Sequence, residues 1–256
     1  MTFPVVFHIF GRPIASHEVC ELAAYTVGVQ TYLIIQRRQP KASSRRDPGL
    51  WLVVWCALGA MVGSKLLAWI EMSPDEIAQI NDWRSLLGGK TIVGGLLGGW
   101  IAVELAKKYF GITQRTGDAY VAPLVLGIAI GRIGCFLTGL PDHTYGIATN
   151  LPWGVDFGDG IRRHPTQLYE IAFALLWGLV VWIRSRWPYA RGELFRLFMF
   201  GYFSFRLLVE FIKPVYRPEG LSAIQWACVA GICICVYSMQ TGRQQPIAGE
   251  VHHDRI

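Results

Sequence analysis

Charge is what this 256-residue chain has least of: Asp, Glu, Lys and Arg make up 16% of it against 52% hydrophobic residues, and mean hydropathy is +0.34. Soluble domains carry about 25% charge, so the deficit argues against one. Fixed-period repeats are lacking, which excludes solenoids, and low complexity is confined to the linker Gln39 to Pro48. The six cysteines, at 20, 56, 135, 228, 233 and 235, all fall in apolar stretches, and their spacing matches neither a disulfide framework nor a zinc motif. The segment Met1 to Pro13 has no basic n-region and its apolar run is broken by His8, so it does not read as a cleaved signal peptide. It is expected to lie in the membrane interface as a short amphipathic element. The net charge of +6 invites a nucleic-acid reading. The basic residues, however, sit in short loops between apolar segments rather than along one face, which is membrane topology and not a nucleic-acid surface.

What the chain does have is long apolar runs. Stretches near membrane-spanning length occupy 19–35, 50–70, 91–106, 119–140, 167–183, 194–212 and 221–239. They predict one all-α integral membrane domain, residues 1–256, with seven transmembrane helices. Alternate connections are basic: Arg37, Arg38, Lys41, Arg45 and Arg46 in the first, Lys107, Lys108 and Arg115 after the third helix, Arg184, Arg186 and Arg191 after the fifth. These face the cytoplasm by the positive-inside rule. Loop 71–85, with Glu71, Asp75, Glu76 and Asp82 against Arg84, is then outside with the N-terminus and loop 141–165, and the C-terminus is cytoplasmic.

Chemistry has to come from the polar groups inside these spans: Glu21, Lys65, Glu104, Arg132, Glu170, Arg206 and Glu210. A charge at the centre of a span costs roughly 3 kcal/mol on insertion scales, so each has a partner or a task. Arg206 and Glu210, four apart, can satisfy each other, and Lys65 and Glu104 lie near helix ends, within reach of the interface. Arg132 stands among Gly127, Gly131, Gly134 and Gly139, which let another backbone or a lipid headgroup approach closely. Its planar fork suits two phosphate oxygens and stays charged when desolvated; the competing reading is a tie to Glu170 or to backbone carbonyls. The outer loop, rich in glycine and proline, carries His143 beside Asp142, and His164 stands at the mouth of the fifth helix; either could be a general base near neutral pH or an ordinary surface histidine. Residues 88–99, Gly88-Gly89-Lys90-Thr91-Ile92-Val93-Gly94-Gly95-Leu96-Leu97-Gly98-Gly99, only superficially resemble a phosphate loop. A glycine-lined helix-packing face is the simpler reading.

Taken in order, Gly94-Gly95, Asp118, Gly131-Arg132-Ile133-Gly134-x-Phe136, Pro152-Trp153-Gly154, the block Arg163-His164-Pro165-Thr166-Gln167-Leu168-Tyr169-Glu170, and Arg206-x-x-x-Glu210 resemble the bacterial prolipoprotein diacylglyceryl transferases over most of the chain. The resemblance implies a plasma-membrane enzyme with a periplasmic loop over its site. Its partners would be phosphatidylglycerol and a lipoprotein precursor peptide, with no nucleic acid and no cofactor. It would move the diacylglyceryl group onto the precursor's lipobox cysteine and release glycerol phosphate. It also implies that Arg132 meets the lipid phosphate, that Arg206 and Glu210 serve activity, and that Gly94, Gly95, Gly134, Cys135, Gly146, Tyr169 and Glu170 line the substrate site. Where the family has a histidine before the paired glycines this chain has Val93; Cys135 and Thr138 replace two asparagines, and Leu140 a glutamate. The base that ionises the acceptor thiol must then come from His143, His164 or His17, and His143, preceded by Asp142, is the expected one. A divergent lipid or glyceryl transferase with another acceptor, or a lipid-binding protein without turnover, is the alternative; a transporter predicts inverted repeats that the chain does not have.

Overall fold

The computed structural model describes residues 3–9, 11–38, 49–78, 88–218 and 220–241. Seven long helices and one short one dominate the described residues: α1 Ser16–Arg38, α2 Gly49–Glu71, α3 Pro74–Ala78, α4 Ile92–Phe110, α5 Val121–Thr138, α6 Thr166–Arg184, α7 Glu193–Val209 and α8 Ala223–Thr241. All seven predicted apolar stretches fall on these long helices. Four segments, Trp51–Glu71, Gly117–Thr138, Thr166–Arg184 and Ala223–Thr241, are long and apolar enough to cross a membrane by length and composition. The other three carry more polar groups or are shorter: α1 includes Glu18, Glu21, Gln30 and Gln36, α4 ends in Glu104, Lys107 and Lys108, and α7 has 17 residues. The linker residues Lys41, Arg45 and Arg46 and the loop residues Asp82 and Arg84 lie outside the described residues.

The N-terminal segment forms a small antiparallel hairpin, Val6–Ile9 against Arg12–Ala15, with Val6 and Phe7 exposed. Phe3 anchors it edge-on against Phe136 and Phe157.

Glycine lets α2 and α4 touch backbone to backbone. A Cβ on Gly94 would stand 2.3 Å from the Gly63 carbonyl oxygen, and one on Gly98 would stand 2.2 Å from that of Gly59. The glycine run near residue 94 is therefore a packing seam of the small-residue kind. Along the rest of the bundle α1 packs on α5, α5 on α6 and α7 on α8. α7 is the central post, with Phe198, Met199, Tyr202 and Phe203 wholly buried against Ala174, Cys228 and Cys235. Large apolar side chains, among them Leu22, Met61, Leu105, Leu176, Trp226 and Tyr237, cover the outer faces of the helices. A helix set apolar outside as well as inside is at home in lipid.

The basic residues Lys107, Lys108, Arg115, Arg184 and Arg186 gather at one end of these helices. The opposite end carries the start of α1, the ends of α5 and α7, the start of α6, and loop 139–165. Asp118 ties off the basic end: its carboxylate accepts from the Gly192 and Phe195 backbone N–H groups at 2.6 and 3.0 Å, capping α7 from outside the helix. Asp118→Ala should cost about 1 kcal/mol, the usual worth of an N-cap, and lower the thermal unfolding midpoint in detergent while leaving the distant polar site intact.

Candidate active site

Three helices deliver ionised groups to one buried point. Arg132 projects from the last turns of α5, Glu170 from the first turns of α6, and Arg206 from the end of α7, where Glu210 follows one turn later; all four are at most 6% exposed. Glu170 is the hub. Its Oε2 forms an ion pair with Arg132 Nε at 2.8 Å and accepts from Arg206 Nη1 at 3.4 Å, while its Oε1 accepts from the Tyr202 hydroxyl at 2.5 Å. Arg206 Nη2 donates to Glu210 Oε2 at 2.6 Å. Both simple pairings open at the sequence level, Arg132 with Glu170 and Arg206 with Glu210, are therefore made. A buried ion pair of this kind holds its members in fixed orientation, and removing one member is far costlier than the net stability the pair contributes.

Two further cations border the group. Lys213, at the end of the turn after α7, is 7% exposed, and Arg217 Nη2 donates to the Glu210 and Lys213 carbonyls at 2.6 and 3.0 Å. Glu71, which accepts from the Ile224 N–H at 2.9 Å, brings a third carboxylate from α2. Four cations against three carboxylates leave positive charge over for an anion. Sequence reading missed Lys213, Arg217 and Tyr202, because only the loop turn and the α7 packing bring them to the Glu170 and Glu210 cluster. The other intramembrane charges pair elsewhere: Glu21 with Lys90 at 2.7 Å, Glu104 with Lys107 at 2.9 Å, and Lys65 with the Gly89 carbonyl at 2.9 Å.

Beside Arg132 lies a second cluster. Arg132 Nη1 donates to Cys135 Sγ at 3.6 Å, Cys135 Sγ is 4.0 Å from His17 Nδ1, and His17 Nδ1 donates to Asp142 Oδ1 at 3.0 Å. Gly134 makes this possible: a Cβ there would stand 2.7 Å from Cys20 Cβ and 3.2 Å from the His17 Cα, so only glycine lets α1 approach α5 this closely. Thr144 donates to Asp142 Oδ2 at 2.6 Å. Burial alone would raise the Asp142 carboxyl, but the bonds from His17 and Thr144 hold it below its ordinary range.

Asp142 thus serves His17 and not its neighbour His143. His143 is exposed, takes the left-handed backbone conformation at φ +52°, and lies 6.4 Å from the Tyr145 ring. His164 Nδ1 meets the Tyr169 hydroxyl at 3.1 Å, which also accepts from Trp153 Nε1 at 2.8 Å. These three form an aromatic patch on the loop. Gly146 lies beneath it, where a Cβ would stand 2.7 Å from His164 Cβ and 2.8 Å from the Ile212 carbonyl oxygen. Its N–H donates to the His164 carbonyl at 2.9 Å, and the Thr166 hydroxyl closes onto the Thr144 carbonyl, so the loop is stitched to the start of α6. Gly94 lies in the α2–α4 seam, and the nearest atoms to Gly95 also belong to α2. Val93 is buried in the apolar core.

A bundle of apolar helices that buries arginine and glutamate at one end, with more cations than carboxylates and a stitched loop beside them, defines a membrane protein with a buried, positively charged polar cluster. The chain belongs to the prolipoprotein diacylglyceryl transferase family, whose model matches residues 4–241. Its relatives include proteins named phosphatidylglycerol–prolipoprotein diacylglyceryl transferase. The one from Methylobacillus flagellatus is 38% identical over 212 residues, covering 72% of this chain and 75% of the relative. The one from Bordetella parapertussis is 35% identical over 200 residues, covering 70% and 71%. The one from Nitrosomonas europaea is 28% identical over 260 aligned positions, covering 90% of each chain.

Proposed function

We propose that this protein transfers the diacylglyceryl group of phosphatidylglycerol to the lipobox cysteine thiol of a prolipoprotein in the bacterial inner membrane. The observation that carries the reading is the convergence of Arg132 and Arg206 on one oxygen of Glu170. Two guanidinium groups fixed through a shared carboxylate keep their remaining N–H donors aimed at a constant place, and donors oriented in advance are what a developing phosphate charge needs. In the reaction the acceptor thiolate attacks the glyceryl carbon. The carbon–oxygen bond to phosphate breaks, and glycerol phosphate leaves with the bonding pair on oxygen. Arg132 and Arg206 take up that charge, supported by Lys213; Glu170, Glu210 and Tyr202 hold the arginines.

The thiol must lose a proton whose ordinary pKa is about 8.5. We assign its ionisation to the cluster of His17, Cys135 and Asp142, which touches Arg132, in preference to His143. Seven spans with the N-terminus outside and the C-terminus cytoplasmic put loop 139–165 and both clusters at the periplasmic face, where a precursor peptide arrives. The exposed Ile147, Leu151 and Trp153 of that loop suit contact with the interface or the precursor.

The test is incubation of the detergent-solubilised protein with phosphatidylglycerol and a lipobox peptide, reading peptide mass. A diacylglyceryl adduct on the cysteine peptide, absent with a serine peptide, is expected. Retention of the lipid with no adduct would favour lipid binding without turnover, the reading to which Val93 and Leu140, in place of the family's histidine and glutamate, lend support.

A further inference from the structure

We infer that His17, Cys135 and Asp142 form a binding site for a thiophilic divalent cation of the zinc class, with one coordination position open to the acceptor thiol. The second half of this statement rests on the transferase reading; the metal site itself does not. His17 Nδ1, Cys135 Sγ and the Asp142 carboxylate come from α1, α5 and the loop after α5, and these donor atoms all lie within 4.8 Å of one another. Zinc bonds of about 2.0–2.3 Å at tetrahedral angles set donors roughly 3.2–3.6 Å apart. The pairs here are 3.0 Å for nitrogen to oxygen and 4.0 Å for sulfur to nitrogen, and sulfur to oxygen is within 4.8 Å, so side-chain adjustments of up to about 1 Å close the site.

The surroundings of each donor give an independent reason. Metal-binding side chains are held from behind by hydrogen bonds that fix their orientation and charge. Asp142 and Cys135 have such a partner, and His17 has a carboxylate close behind it. Glu21 Oε2 stands 3.8 Å from His17 Nε2, the ring nitrogen turned away from the cluster. Thr144 donates to Asp142 at 2.6 Å through the oxygen that His17 does not use. Arg132 donates to Cys135 Sγ at 3.6 Å. One thiolate and one carboxylate neutralise a divalent cation, and a nitrogen, sulfur and oxygen set with one soft donor selects zinc over magnesium or calcium. The Cys135 and Asp142 side chains are 7% and 10% exposed, while that of His17 is 37% exposed, so the cluster is closed on two sides and open on the third. Three protein ligands and an open fourth position are the arrangement of catalytic rather than structural zinc.

A thiol that takes the fourth position is deprotonated by the metal. Its proton leaves to solvent past the exposed edge of His17. The metal-bound sulfur then forms the carbon–sulfur bond as the carbon–oxygen bond to phosphate breaks, with no change of oxidation state. Arg132 lies against both clusters and sets thiolate and phosphate side by side.

The experiment is metal analysis of the full-length protein in detergent after chelator treatment and reloading with Zn²⁺, and the absorption spectrum after loading with Co²⁺. Expected are one ion per chain and a sulfur-to-cobalt charge-transfer band, both unchanged in Cys233→Ser. The band should be lost in Cys135→Ser, and affinity should be about 100-fold or more weaker in His17→Ala and Asp142→Asn. Thr144→Val, which removes only a supporting bond and leaves the donors in place, should weaken binding roughly tenfold. No stoichiometric ion in wild type, or equal binding in all the variants, overturns the site. If the ion binds as expected and transfer to the peptide is the same with and without it, the thiol-activating role is overturned while the site stands. If the ion binds and no adduct forms under any condition, it is the transferase reading that fails.

Discussion

Arg132→Lys should lower diacylglyceryl transfer by roughly 10²- to 10³-fold, the usual cost of removing a donor that meets charge developing in the transition state, with helical content unchanged. Lysine keeps the charge but not the fork. Arg132 turns Nε to Glu170 at 2.8 Å and one terminal nitrogen to Cys135 Sγ at 3.6 Å, so one planar group spans carboxylate and sulfur and keeps a further nitrogen for the proposed phosphate. A single ammonium cannot hold that geometry. Arg132→Ala is the harsher change, since it leaves the 1%-exposed Glu170 with one guanidinium instead of two. Breaking a buried pair this way costs about 3–5 kcal/mol, and the variant should show a lower unfolding midpoint as well as lost transfer. The adduct assay on Arg132→Lys, with lipid retention measured alongside, separates the roles: retained lipid with lost transfer assigns the fork to the reaction. Transfer within about threefold of wild type would reduce Arg132 to a structural tie between α5 and α6.

His17→Ala is expected to reduce transfer by about 100-fold or more, while His143→Ala leaves it near the wild-type rate. The size follows from the proposed role of His17 in ionising the thiol, whether by proton transfer or through a bound cation. The contrast follows from geometry. His17 meets Asp142 at 3.0 Å and Cys135 at 4.0 Å beside the arginine cluster, whereas His143 is exposed and turned toward Tyr145. A full rate for His17→Ala together with loss for His143→Ala would return the role to the loop histidine. Measuring both variants at several pH values, with the peptide thiol pre-ionised at the highest, adds a second check: His17→Ala should recover part of its deficit there, because an already ionised acceptor no longer needs activation.

Sequence alone located the helices, because a membrane-length apolar run is a local property that needs no knowledge of neighbours. All seven predicted stretches fall on helices, and Arg132, Glu170, Arg206 and Glu210 stood out as charges within apolar surroundings, where a partner or a task is obligatory. The pairing of Arg206 with Glu210 was legible too, since positions four apart on a helix share a face. The glycine run at 88–99 was half legible. Its packing role follows from small residues on a helix, but the particular contacts of Gly94 with Gly63 and of Gly98 with Gly59 belong to the docking of α4 on α2.

Asp142 misled for a physical reason: adjacency in sequence suggested His143 as its partner, yet consecutive residues in a turn point apart, and the turn aims the carboxylate at α1. What the sequence by itself determined is the class of environment, the helical spans and the identity of the costly buried charges, all set by hydrophobicity and helix periodicity along a continuous stretch. What only the tertiary structure decided is the company those residues keep. Arg132 and Arg206 share Glu170 with Tyr202, Lys213 joins them from a loop turn, and His17, Cys135 and Asp142, up to 125 positions apart in the chain, converge because Gly134 lets α1 lie against α5. Such contacts are fixed by helix packing, which no local pattern encodes.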